Sequence, residues 1–375
     1  MLPTASPDLP ALVPGTAFDL DLFAADHAGA RARFAVLAKR SGAVRESYPH
    51  PLPGPGGEAL TTDTAWLGPP DAARVLVLQS GLHGVEAFAG SAMQCDALTQ
   101  FPAAQLPADT AILYIHAINP WGFAWLRRCN EDGIDLNRNF IDFERPLPAN
   151  ETYDAVADAL VPVDARAAAV ADARLDALRV QLGQAAYEAV VSRGQYRHPH
   201  GFYYGGTAPS WSRRTLAGIV ARHDLRRREV VHVDLHTGIG PYGHGELICD
   251  HLPDSTGVRT ARRLFGPSVT EPHRGNSVSG VKDGLVDSWW ERELGDRLCF
   301  VTLECGTESF AGMIAALRAD HILHAAGPVN WSDSGVQRVK SALRDHFCPP
   351  RRDWRQLVLF RARQVIAQAL AGMTA

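Results

Sequence analysis

Four stretches of the chain are almost continuously apolar, rich in β-branched or aromatic residues, and short: ARVLVLQS (Ala73–Ser80), TAILYIHA (Thr110–Ala117), EVVHVDLH (Glu229–His236) and RLCFVTLE (Arg297–Glu304). Runs of this length without polar alternation predict strands covered on both faces. Between them apolar residues recur at helical spacing, as in VEAFAGSAMQCDALTQF after the first strand. The alternation predicts an α/β fold, a single α/β/α sandwich whose central mixed, largely parallel sheet is flanked by helices. The alanine-rich segment Asp164–Arg193 predicts one or two helices, and the whole interval of about 151–195 reads as a helical insertion. Residues 1–70 or so, with the proline- and glycine-rich YPHPLPGPGGE, read as a peripheral segment of one domain spanning 1–375.

In open α/β sheets, ligands bind outside the carboxyl ends of the strands. His83 and Glu86 lie just past the first predicted strand, His236 closes the third, and Glu304 closes the fourth. Three strands therefore deliver His, Glu, His and Glu to what reads as one rim. Taken alone, His83 and Glu86 could equally cap the helix that follows. Glu304 is harder to explain structurally, because a buried carboxylate without a partner is costly. Two histidines and one carboxylate form the ligand set of a hydrolytic zinc site with an open position for water. A second carboxylate is then needed to move the proton, and Glu304 suits that task by type and position. A dense loop, NPWGFAWLRRCNEDGIDLNRNF (Asn119–Phe140), adds Asn137 and Arg138, which suit a carboxylate, and Arg127 and Arg128, which suit a developing oxyanion.

Composition narrows the partners. The chain of 375 residues is 46% hydrophobic with a net charge of −4, which gives no electrostatic reason to expect nucleic acid or an anionic membrane. No apolar run reaches the roughly 18–20 residues of a membrane span. The amino-terminal MLPTASPDLPALVPG lacks the pattern of a secretory leader, and the six cysteines are scattered without a CxxC pair. Both features predict a cytoplasmic protein with reduced thiols. Self-association into a homo-oligomer is left open.

The motifs HGVE, NPWGF…DLNRNF, DLHTG and TLECGT stand in the order and approximate spacing of zinc carboxypeptidases of the M14 superfamily. The chain resembles most closely a bacterial branch, the DUF2817 group. DLHTG and DLNR also look like the aspartoacylase and succinylglutamate desuccinylase branch. The resemblance implies one zinc ion bound by His83, Glu86 and His236, with Glu304 as general base and acid. It implies that Asn137 and Arg138 hold a substrate carboxylate, that Arg128 or Arg127 polarises the scissile carbonyl, and that Asp135 supports His83. The implied activity is zinc-dependent hydrolysis of an amide bond next to a free carboxylate, in a small peptide or, alternatively, an N-acyl amino acid. A metal-binding relic without catalysis is a third reading, disfavoured by the presence of both Glu304 and Arg138.

The peptidase branch carries a mobile Tyr between its last zinc histidine and its catalytic Glu, whereas here that interval holds only Tyr242, near its start. Tyr203, Tyr204, Tyr242 and His244 are the candidates for its contact. GIGPYG (Gly238–Gly243) matches a dinucleotide fingerprint, but HGELICD after it reads as a strand rather than a helix, and the ribose-binding acid is missing. GNSVSG is not the nucleophile elbow of a serine hydrolase.

Overall fold

The computed structural model describes residues 17–163 and 165–373, so the leader reading of the first fifteen residues lies outside the described residues. Eight strands form one sheet: β1 (Val44–Pro49), β2 (Thr61–Leu67), β3 (Arg74–Ser80), β4 (Thr110–His116), β5 (Glu229–Gly238), β6 (Gly245–Ile248), β7 (Val269–Thr270) and β8 (Leu298–Gly306). Their spatial order is β1-β2-β4-β3-β5-β8-β6-β7. The four strands predicted from apolar runs are β3, β4, β5 and β8, and they form the contiguous parallel centre. The antiparallel pairs lie at the two sides, β1 with β2, β2 with β4, and β6 with β8.

The centre reads as apolar throughout because each of its faces meets a core. Leu76, Leu78, Ile112, Tyr114, Val233 and Val301 point into one, with Phe88, Met93 and Trp354 from helices Ala87–Gln100 and Arg352–Gly372. Val75, Val77, Leu113, Ile115, Val230 and Phe300 point into the other, against Leu216, Ile219, Trp289 and Trp290 from helices Trp211–Arg222 and Val286–Leu294. The two-residue period of a strand divides each run between the two layers.

Residues 165–192 form two helices, Ala165–Leu182 and Gln184–Ser192. A third core at the carboxyl ends of the strands joins Tyr187 and Val191 to Val85, Tyr203, Met313 and Phe347. HGELICD contains a strand, β6, as its pattern predicts, so the glycines before it do not open a nucleotide-binding helix. All six cysteines are buried free thiols. Among the described residues no helix is long and apolar enough to cross a membrane.

Candidate metal centre

β3 ends at Ser80, and a short loop carries His83 and Glu86 into the carboxyl-side rim. Neither side chain caps the helix that follows. Instead the loop is pinned to the segment bearing the arginines: the Gly84 and Val85 amides donate to the Arg128 and Arg127 carbonyls at 3.1 and 2.8 Å. A Cβ on Gly84 would sit 2.1 Å from the Gly122 carbonyl carbon, so only glycine permits this approach.

His83, Glu86 and His236 converge, each buried, with one potential ligand atom from each lying within 4.8 Å of the others. His83 Nδ1 is 2.8 Å from Glu86 Oε1 and His236 Nδ1 is 3.1 Å from Glu86 Oε2. The opposite ring nitrogens are each held by a carboxylate: His83 Nε2 by Asp135 at 3.2 Å, and His236 Nε2 by Asp234 at 2.8 Å. Both imidazoles thus present Nδ1 to one point, with an outer acid fixing ring orientation and basicity. His83 Nδ1 is buried and makes no hydrogen bond of acceptable geometry. An orphaned nitrogen, a carboxylate and a second imidazole facing one point fit a tetrahedral zinc ion with one position left open.

The charges around this point favour a cation. Glu86, Asp135 and Asp234 are buried around it, with the Arg128 guanidinium paired to Glu86 and Asp135. Burial pushes the Glu86 carboxyl up, but the charges of His83 and His236 outweigh it and hold it low. Burial alone would strip the proton from His236, yet Asp234 and Glu86 raise its proton affinity well above the ordinary value.

Glu304 sits on β8 directly opposite His236 in the parallel β5–β8 ladder. Its Oε1 accepts the Ile239 amide at 3.1 Å, where Gly238 turns the chain at φ +150°. Burial, and then the charge of Glu86, push its carboxyl up to about 8.

These residues line a cavity of about 640 Å³ together with Arg128, Asn137, Arg138 and Tyr203. Arg128 donates to Asp135 and Glu86, both at 3.0 Å, and its Nη2 approaches His83 Nε2 at 2.7 Å. That last contact and the Asp135 contact demand opposite tautomers of His83. With Nδ1 reserved as a ligand, Nε2 carries the proton and donates to Asp135. Arg138 donates to the Asn137 and Ser192 carbonyls, each at 2.6 Å. Asn137 Oδ1 accepts the Val286 amide at 2.9 Å.

Arg127 is not at this site, which corrects the expectation that it binds substrate. The two side chains diverge, and Arg127 turns into the interior to pair with Asp320 at 2.9 Å. Asp320 also binds Lys340 at 2.5 Å, completing a buried charge cluster. Of the aromatic candidates, Tyr203 enters the cavity, its ring flanked by Arg128 and Arg138 at 5.4 and 5.2 Å. Its φ of +53° is unusual for a bulky residue and marks backbone held in place by its surroundings. Tyr242 is 40% exposed and bonds Asp353, His244 is exposed, and Tyr204 packs in a core. Sequence reasoning passed over Asp234, although its place two residues before His236 on a strand puts both on one face.

The fold is that of the carboxypeptidase-like α/β proteins, and it carries a convergent His-Glu-His set. Within that class the chain belongs to the family described as "Protein of unknown function (DUF2817)", matched over residues 23–361. No curated protein matches it. Among solved structures, thrombin-activatable fibrinolysis inhibitor is similar at TM-score 0.52 and 11% identity, covering 92% of this chain and 73% of that one. Carboxypeptidase A from Helicoverpa armigera gives TM-score 0.47 at 13% identity, with the same coverage of 92% and 73%. An aspartoacylase family protein from Mesorhizobium loti gives 0.38 at 17%, covering 77% and 68%. At these identities the likeness is one of fold.

Proposed function

We propose that this protein is a zinc-dependent hydrolase that cleaves an amide bond next to a free carboxylate. The observation that carries this reading is the convergence of His83, Glu86 and His236 within 4.8 Å in a cavity that Glu304 also lines. A zinc ion held by the two Nδ1 atoms and the Glu86 carboxylate would supply Lewis-acid polarisation of the scissile carbonyl and activation of a water. Glu304 takes the proton from the attacking water and passes it to the departing amine. Arg128, fixed by Asp135 and Glu86, lies where a guanidinium can donate to the developing oxyanion. Asn137 and Arg138 hold the free carboxylate of the substrate.

The size of the cavity favours small substrates. The helix Gln184–Ser192 walls one side with Ala185, Glu188, Ala189 and Ser192, and residues 278–282 line it further. A walled space of this volume suits a short peptide or an N-acyl amino acid, so deacylation of the latter stands as the second reading. The test is amino acid release from a mixed panel of short peptides and N-acyl amino acids, with and without a chelator. Release that stops on chelation and returns with zinc supports hydrolysis, and the preferred members decide between the readings. A zinc-loaded protein that releases nothing from any member overturns it.

A further inference from the structure

Lys282 also lines the cavity, from the loop between β7 and the helix Val286–Leu294. Its ammonium donates to the Ser279 hydroxyl and, at 3.0 Å, to the Gly280 carbonyl, both in its own loop. An ammonium has three donors, so one remains for another group. Among the described residues no carboxylate forms an ion pair with it within 4.0 Å, unlike Lys340 in the buried cluster with Asp320.

The charges of Asp250 and Glu304 reach it from further off, but neither carboxyl pairs with it directly. Asp250 and Asp287 line the same cavity and face each other, and burial pushes them up to about 6 and about 8. Such a pair keeps a proton between its members near neutrality, which weakens its negative field.

The other cations of the cavity show why a further one is informative. Arg128 is engaged by Asp135 and Glu86. Arg138 spends two of its N–H groups on backbone carbonyls, and its buried Nε has no partner. Burial, and then the charge of Arg138, lower the proton affinity of Lys282 to about 8, so the two cations feel each other across the cavity. Like charges brought together with unused donors are stabilised by an anion between them.

We propose that Lys282 is a specificity-determining residue whose ammonium joins Arg138 in binding the free carboxylate of the substrate. This rests on the hydrolase reading for the identity of the ligand, but its test reads binding alone. Calorimetric titration of the zinc-loaded full chain with 3-phenylpropanoate and with its neutral twin, 3-phenylpropanamide, measures recognition of the carboxylate charge. Wild type binds the acid at least about tenfold more tightly than the amide, the worth of a charge-assisted hydrogen bond. Lys282→Met loses about tenfold for the acid and leaves the amide unchanged, while Lys282→Arg stays within about threefold of wild type. A Lys282→Met protein with the wild-type ratio of acid to amide overturns the proposal, as does a wild type that makes no distinction. A protein that binds the acid through Lys282 yet hydrolyses nothing would instead count against the proposed activity.

Discussion

His236 on β5 and Glu304 on β8 are direct partners in a parallel ladder, so one register of two central strands places a candidate zinc ligand beside a candidate proton carrier. Glu304 accepts the Ile239 amide and lies outside the ligand set, which leaves its second oxygen for a reacting water. Glu304→Gln keeps size and hydrogen bonding but cannot take a proton. The variant is expected to bind zinc as wild type does and to lose about 10²–10⁴-fold in kcat, read by steady-state kinetics beside metal analysis. Full activity in a zinc-loaded Glu304→Gln protein would remove it from the mechanism.

The outer acids are open to a separate test. Asp234 holds His236 Nε2 at 2.8 Å, so Asp234→Asn frees the ring to turn and lowers its basicity. Zinc affinity is expected to fall by about 10–100-fold, measured by competition with a chelating dye. Unchanged affinity would mean that packing alone orients the imidazole.

Arg127 and Arg128 are adjacent in sequence yet serve different ends. Arg127→Met leaves Asp320 with one cation fewer in a dry interior, and is expected to cost about 3 kcal/mol of stability in denaturant unfolding. Its zinc-loaded kcat should stay close to wild type. Arg128→Met should lower kcat by about 10²-fold or more. Equal catalytic losses in the two variants would contradict this division.

A pH effect follows from His232, buried on β5 and stacked on Phe300 at 4.2 Å, with no partner at either ring nitrogen. Burial lowers its pKa to about 3. Between about 6.5 and 3 the unfolded chain binds the proton and the folded chain does not, so stability falls as pH falls through this window. One such residue contributes a slope of up to about 1.4 kcal/mol per pH unit. His232→Phe removes that share, so its unfolding free energy should decline less steeply than wild type from pH 7 to pH 5. Parallel declines would show that the ring is protonated in the folded protein.

The parallel centre of the sheet was legible in the sequence because its strands are buried on both faces and carry unbroken apolar runs. The edge was not. β2 is buried along its whole length yet reads TTDTAWL, and its Asp63 is matched by Arg31 and Ser47 from other elements. A polar strand satisfied by distant partners gives no local signal. The convergence of His83, Glu86 and His236 was legible because it follows from strand ends, which topology brings together. The division between Arg127 and Arg128 was not, since it depends on Asp320, 193 residues further on. The donor accounting around Lys282 likewise exists only once the loop is folded against the cavity.

The central claim is that His83, Glu86 and His236 hold one metal ion. Native mass spectrometry of the zinc-reconstituted chain, wild type beside Glu86→Gln and His236→Ala, tests it most directly. One zinc per wild-type chain, with occupancy lost in both variants while they remain folded, is the predicted result. A wild type that takes up no zinc, or variants that retain it in full, would contradict the account.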